Sequence, residues 1–196
     1  MYHVSKDKRA VKSAELIWQG LRECLKEKKI GKIHIADINE KSYISRATFY
    51  RLFDSVEDVL VYECDQLFEQ VSIKLVEKQF SSTRDFFLFF IQQLLEHKDL
   101  MMGLAANNLT HIIHDVHMRY RILVQDVIIR GDSMGSEEVD YLVAILSGIL
   151  PAAMEVWYLH GQKESPEEIY KMVAGSISVI DNALNNQKHA SSTISV

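Results

Sequence analysis

Between Ser45 and Phe53 the chain reads SRATFYRLF, and here residue type and spacing together suggest a chemistry. At 100° per residue, Phe49, Leu52 and Phe53 fall on one side of a helix. Ala47, Tyr50 and Arg51 fall on the other, with Arg46 and Thr48 at the edges. Such a helix anchors by one face and presents the other. A small residue, two arginines, a threonine and a tyrosine on an exposed face suit the major groove of DNA. Arginine forms paired hydrogen bonds to guanine, and the hydroxyls reach phosphate oxygens. The plainer alternative is an ordinary amphipathic helix with its polar residues outside, so the surrounding elements decide.

Those elements form a compact frame. From Lys8 to Lys28 the apolar residues Val11, Ala14, Ile17, Trp18, Leu21, Cys24 and Leu25 recur at steps of three and four, which predicts an amphipathic helix with a basic outer face. Gly31 ends it. The segment HIADINEKS predicts two turns at most, with Ile35 and Ile38 toward the same core, and Ser45 and then Asp54–Ser55 open two further helices. Three short helices, the last two joined by a tight turn, make a helix-turn-helix unit. Residues 1–53 hold 12 Lys+Arg against 6 Asp+Glu, while the rest holds 10 against 21. A basic segment suits a polyanion and an acidic body repels one; chance fluctuation of charge is the bland alternative.

The remainder predicts long helices, at about 56–78, 84–97, 101–130 with a break near Asn107 and Asn108, 136–160 and 166–186. With 2 prolines and 8 glycines in 196 residues, the turns a β-sandwich needs are missing, and the expected fold class is all-α. Cys24 and Cys64 form no disulfide framework, and Cys24, within a helical apolar pattern, reads as a buried free thiol. The opening MYHVSKDKRAVK has no apolar signal-peptide core, and the longest apolar stretch, Leu142 to Met154, is 13 residues and too short to span a bilayer. A cytoplasmic location is expected.

The stretch IADINEKSYISRATFYRLFDSVEDVL, from Ile35 to Leu60, resembles the DNA-binding domain of the tetracycline-repressor (TetR) family. The matching residues are Asp37, Ile38, Ile44, Ser45, Thr48, Phe49, Tyr50 and Phe53, followed by Glu57, Asp58 and Leu60, and with the first helix the match covers about a quarter of the chain. GQKESPEEIYKMV also resembles a connector found in that family. The resemblance implies a homodimeric, ligand-responsive transcriptional regulator, a repressor reading an inverted-repeat operator, with no catalysis and no cofactor. Residues 1–53 would bind DNA, 54–187 would bind an effector and dimerise, and 188–196 would be a flexible tail. Its partners would be double-stranded operator DNA, a second copy of the chain and a small apolar or aromatic effector, with no membrane.

Helix face and resemblance together place DNA contacts on His34, Lys41, Tyr43, Ser45, Arg46, Ala47, Thr48, Tyr50 and Arg51. Three positions depart from the family. Tyr43 stands where the turn usually has glycine and would be strained at positive φ. Ile33 and His34 replace a phosphate-contacting threonine, and Val56, preceded by Asp54, replaces a lysine. A family member that has lost operator binding and serves as a partner protein is therefore the first alternative. The dimer interface is expected on the apolar stripes Leu142, Ile145, Ile149, Val156 and Tyr170, Val173, Ile177, Ile180, Leu184, which have little left to cover them within one subunit.

Other constellations compete. His111, His114 and His117 with Asp115 invite a metal, but the core stripe Leu109, Ile112, Ile113, Val116, Tyr120, Leu123 and Val127 leaves them fanned over about 120° on the far side, and no metal site is expected. The His114–Asp115 dipeptide, with His97 and Asp181, would suit an all-helical metal-dependent phosphohydrolase, the second alternative. Phe86, Phe87, Phe89 and Phe90 wrap a helix that must be buried. Phe87, Met101, Met102, His114, Met118 and Trp157 are the candidate walls of an effector pocket.

Overall fold

The computed structural model describes residues 1–78, 80–120 and 135–192. Leu123, Val127, residues 131–134 of the connector and residues 193–196 lie outside the described residues, as do the side chains of His117 and Leu142 and those from 186 onward. The described elements are helices: α1 (Lys8–Glu27), a 3-10 turn (Ile30–Lys32), α2 (Ile35–Ser42), α3 (Arg46–Leu52), α4 (Val56–Glu77), α5 (Thr83–Glu96), α6 (Lys98–Ala105), α7 (His111–Arg119), α8 (Ser136–Leu159) and α9 (Pro166–Ser192). The fold is all-α, with an N-terminal helix-turn-helix followed by a helical body. The expected break near Asn107 becomes a full separation of α6 from α7, and α9 runs six residues past the expected end at 186.

Polar residues at the helix starts set these boundaries. Asp7 accepts from the Arg9 amide at 3.2 Å, Ser45 from Thr48 at 3.1 Å, Ser55 from Asp58 at 3.2 Å and Ser82 from Asp85 at 3.2 Å. Each satisfies an amide that a first turn leaves without a partner. Asp58 returns the favour to the Ser55 amide at 2.9 Å, closing a capping box at the start of α4.

One core joins the described helices. Ala14, Ile17, Leu21 and Cys24 of α1 meet Ile38 of α2 and Phe49, Leu52 and Phe53 of the α3 segment, and the same cluster continues along α4 into the body. Close approach of α1 to α2 depends on Gly20, where a Cβ would lie 2.8 Å from the Ile38 carbonyl oxygen and 2.9 Å from Ser42 Cβ. In the body, Phe86, Phe89 and Phe90 are buried and Phe87 is half-buried, so the expected all-round apolar helix does sit inside. Ile112, Ile113 and Val116 of α7 are buried as their spacing predicts, with Leu109 and Tyr120 packed beside them.

Candidate nucleic-acid interface

Helix α3 is anchored by Phe49 (0% exposed) and Leu52, with Phe53 buried just after it, leaving Arg46, Ala47, Tyr50 and Arg51 exposed and Thr48 half-buried. The expected two-faced helix is therefore present. The Ser45 and Thr48 hydroxyls pair at 3.0 Å, and the Arg46 guanidinium lies 5.5 Å from the Tyr50 ring centre, with Nη2 donating to the Tyr50 hydroxyl at 3.4 Å. A cation over an aromatic face one turn away holds both side chains on the outer surface. Asn39, with its amide turned to satisfy both ends, donates to Ile35 O and accepts from the Arg46 amide at 3.1 Å each, which fixes α3 against α2. Tyr43 occupies the turn at φ 58°, ψ 20°, the left-handed region its sequence position made a concern.

The flanks are less free. Lys41 donates to Glu27 at 3.0 Å, which raises its pKa, and Lys28 donates to Asp37 at 2.8 Å, raising the lysine and lowering the carboxyl. Asp37 also accepts from the His34 amide at 2.8 Å, so His34 caps α2 through its backbone while its side chain stays exposed. Arg46 and Arg51 make no ion pair among the described residues. Asp54, the acid next to α3, is met by His3 at 2.9 Å and by the Met1 amine at 3.0 Å, which hold its carboxyl below the usual range.

A feature that spacing did not announce joins this unit to the body. The segment before α1 lies along the end of α3, with Tyr2 bridging to Phe53 and the His3 amide donating to Leu52 O at 2.7 Å. The Tyr2 hydroxyl donates to Asp65 on α4 at 2.8 Å, and Arg119 at the end of α7 donates to the same carboxylate at 2.9 Å. Asp65 is 6% exposed. Its only signal in the sequence was an acid standing between Val61 and Phe68 on an apolar stripe, where an ionised carboxylate needs partners.

Among the described residues, the candidate effector side chains have different surroundings. Met101 is buried, Phe87 and Met118 are half-buried, and Met102 borders a cleft of ≈ 120 Å³ with Arg22 and Leu25. His114 bonds Ser147 of α8 through Nδ1 at 2.7 Å, and His111 is exposed, so these two imidazoles part ways. His97 borders a separate polar cavity beside Trp18 and Arg22, and Asp181 accepts from Asn185 near the end of α9. Among the described residues no group of three or more His, Cys, Asp or Glu side chains could hold a metal ion.

Trp157 instead borders a groove of ≈ 620 Å³ between α8 and α9, together with the expected interface residues Ile145, Ile149, Val156, Val173, Ile177 and Ile180. Ile145, Ile180 and Leu184 are 58%, 60% and 59% exposed, so large apolar side chains of both helices face solvent in the single subunit. Tyr170 is half-buried and lies under the Arg84 guanidinium at 5.7 Å.

No family model and no curated protein sequence matches the chain. Solved structures do. Lin0861 from Listeria innocua superimposes with a TM-score of 0.75 at 12% identity, covering 91% of this chain and 96% of that one. A TetR transcriptional regulator from Streptococcus agalactiae 2603V gives 0.55 at 18% identity over 88% and 97%. The dihydroxyacetone kinase operon activator DhaS gives 0.56 at 16% identity over 86% and 96%. The chain thus has the fold of these proteins along nearly its whole length. No helix among the described residues is long and apolar enough to cross a membrane.

Proposed function

We propose that the protein is a homodimeric, effector-responsive transcriptional regulator of the tetracycline-repressor type, a cytoplasmic repressor that reads an inverted-repeat operator through α3 and performs no catalysis. The observation that carries this reading is the exposed Arg46, Ala47, Tyr50 and Arg51 face, presented by a helix-turn-helix on a body whose fold it shares with a TetR regulator and an operon activator. His34, Lys41, Tyr43, Ser45 and Thr48 border that face. Arg46 would read a base, and Tyr50 and Thr48 would reach phosphates.

One α3 covers too few base pairs to select a genomic site, and a two-fold dimer supplies two half-sites at a fixed spacing. The apolar groove between α8 and α9 supports that dimer, because a second copy would cover the exposed Ile145, Ile177, Ile180 and Leu184 in a four-helix bundle. The effector class, small and apolar or aromatic, rests on the phenylalanine- and methionine-rich body. Lys41 held by Glu27 favours a second reading, a partner protein of the same fold that does not bind an operator. Electrophoretic mobility shift on the DNA flanking its own gene decides. A shift lost in Arg46→Ala/Arg51→Ala is expected; no shift at micromolar protein would leave the partner reading.

A further inference from the structure

We infer that Tyr43 is a specificity-determining residue of the DNA interface, reading the duplex beside the base contacts of α3; the inference rests on the DNA-binding function proposed above. Tyr43 is the C-cap of α2 and sits at φ 58°, ψ 20°. Side chains with a Cβ are crowded there, and glycine or asparagine is the residue that closes a helix in this conformation without strain. The ring gives the fold nothing in return. Tyr43 is 94% exposed, and among the described residues neither its ring nor its hydroxyl has a partner. A strained backbone carrying a large, uncovered aromatic ring is costly to the folded chain on both counts, and such positions gather at sites of binding.

The surroundings aim the ring. On one side Ser42 is buried, and on the other the Ile44 amide donates to Ser42 Oγ at 3.3 Å while Ile44 packs on the core. The Tyr43 amide donates to Asn39 O at 2.9 Å. With its backbone pinned on both sides, the exposed residue stands in the turn that leads into α3, three positions before the exposed Arg46 and four before Ala47. An aromatic face there suits the C5-methyl of a thymine in the major groove, with the hydroxyl donating to the adjoining phosphate. A pure phosphate contact would need no ring, since a lysine at an unstrained position serves it better. The strain is intelligible where the ring discriminates between bases.

The test uses full-length protein and duplexes selected from a random pool by the wild type, with Tyr43→Gly, Tyr43→Asn, Tyr43→Phe and Arg46→Ala compared at one salt concentration. Tyr43→Gly and Tyr43→Asn, both at ease at positive φ, should melt at or above the wild-type temperature. Both should lose about tenfold or more in affinity for the selected duplex and relax preference at one thymine position. Tyr43→Phe should keep that preference and weaken all duplexes alike. Glycine and asparagine variants that keep both affinity and preference, or that weaken every sequence equally, would overturn the inference. Arg46→Ala separates the two levels: if it too binds as wild type, or if selection yields no preferred duplex, the DNA-binding reading itself fails.

Discussion

Replacing Glu63 by glutamine should change how stability depends on pH. Glu63 lies on α4 facing α1, half-buried, and it borders a cavity of ≈ 140 Å³ with Trp18, Arg22, Glu96, His97, Lys98 and Asp99. Among the described residues it has no hydrogen bond or ion pair, since Arg22 donates to Asp99 at 3.1 Å and leaves its Nε buried without a partner. Burial, then repulsion from Glu15, pushes the carboxyl from 4.5 up to about 7, with Arg22 opposing. The folded state therefore holds this proton where the unfolded state has released it. Stability from this group is fully present below about 4.5 and is lost as pH rises to about 7.

At about 1.36 kcal/mol per pKa unit the shift is worth up to about 3 kcal/mol. Partial access of the carboxyl to water brings the expectation to about 1 to 2 kcal/mol. Glutamine has nearly the same shape and no proton to lose, so Glu63→Gln should match the wild type near pH 4.5 and exceed it by that amount at pH 8. Urea unfolding followed by circular dichroism across this range measures both curves. His97 in the same cavity, its pKa lowered by burial, destabilises the fold toward acid pH instead. The difference between variant and wild type therefore carries the test. Two parallel curves would refute the reasoning.

Gly20→Ala should destabilise by about 1 to 3 kcal/mol in the same urea titration, because its methyl would meet backbone at 2.8 Å and neither helix can give way without disturbing the other. Arg119→Ala should cost about 2 kcal/mol and Tyr2→Phe about 1, since the first takes a charged partner from the buried Asp65 carboxylate and the second a neutral one; equal costs would argue against that ranking. Ile177→Lys should shift sedimentation from dimer to monomer while leaving helical circular dichroism largely intact, because Ile177 is 45% exposed in the single subunit and a charge there is costly only once a partner covers it. A folded dimer would put the interface elsewhere.

The N-terminal helix-turn-helix was legible in the sequence because its signals are local. Ser45, Phe49 and Phe53 carry a cap and an apolar period within nine residues, and they fold as that pattern dictates. The exposed stripes of α8 and α9 were legible for the same reason, as helical spacing with nothing left to pair against. What escaped was what the chain brings together from afar. Tyr2 meets Asp65 across 63 positions and Arg119 meets it across 54, and no periodicity links them. The effector candidates rest on a weaker signal. Apolar spacing marks Phe87, Met101 and Trp157 as inward-facing but cannot say whether they line a void or fill one, and Met101 is packed into the core.

These long-range contacts bear on how the two ends of the molecule move together. Helix α4 begins at Val56, three residues after the buried Phe53, and continues without a break to Glu77 inside the body. Its Asp65 holds the strap that lies along the end of α3 and, through the other bond, the last turn of α7. Asn107, just after α6, accepts from the Ile30 amide at 2.8 Å, and Arg22 of α1 pairs with Asp99 of α6. The helix-turn-helix is thus tied to the body by these contacts among the described residues as well as through α4. A rearrangement of α6 or α7 has to move α1 and α4 with it or break these bonds, and α3 follows because Phe49 and Phe53 are packed into the same core.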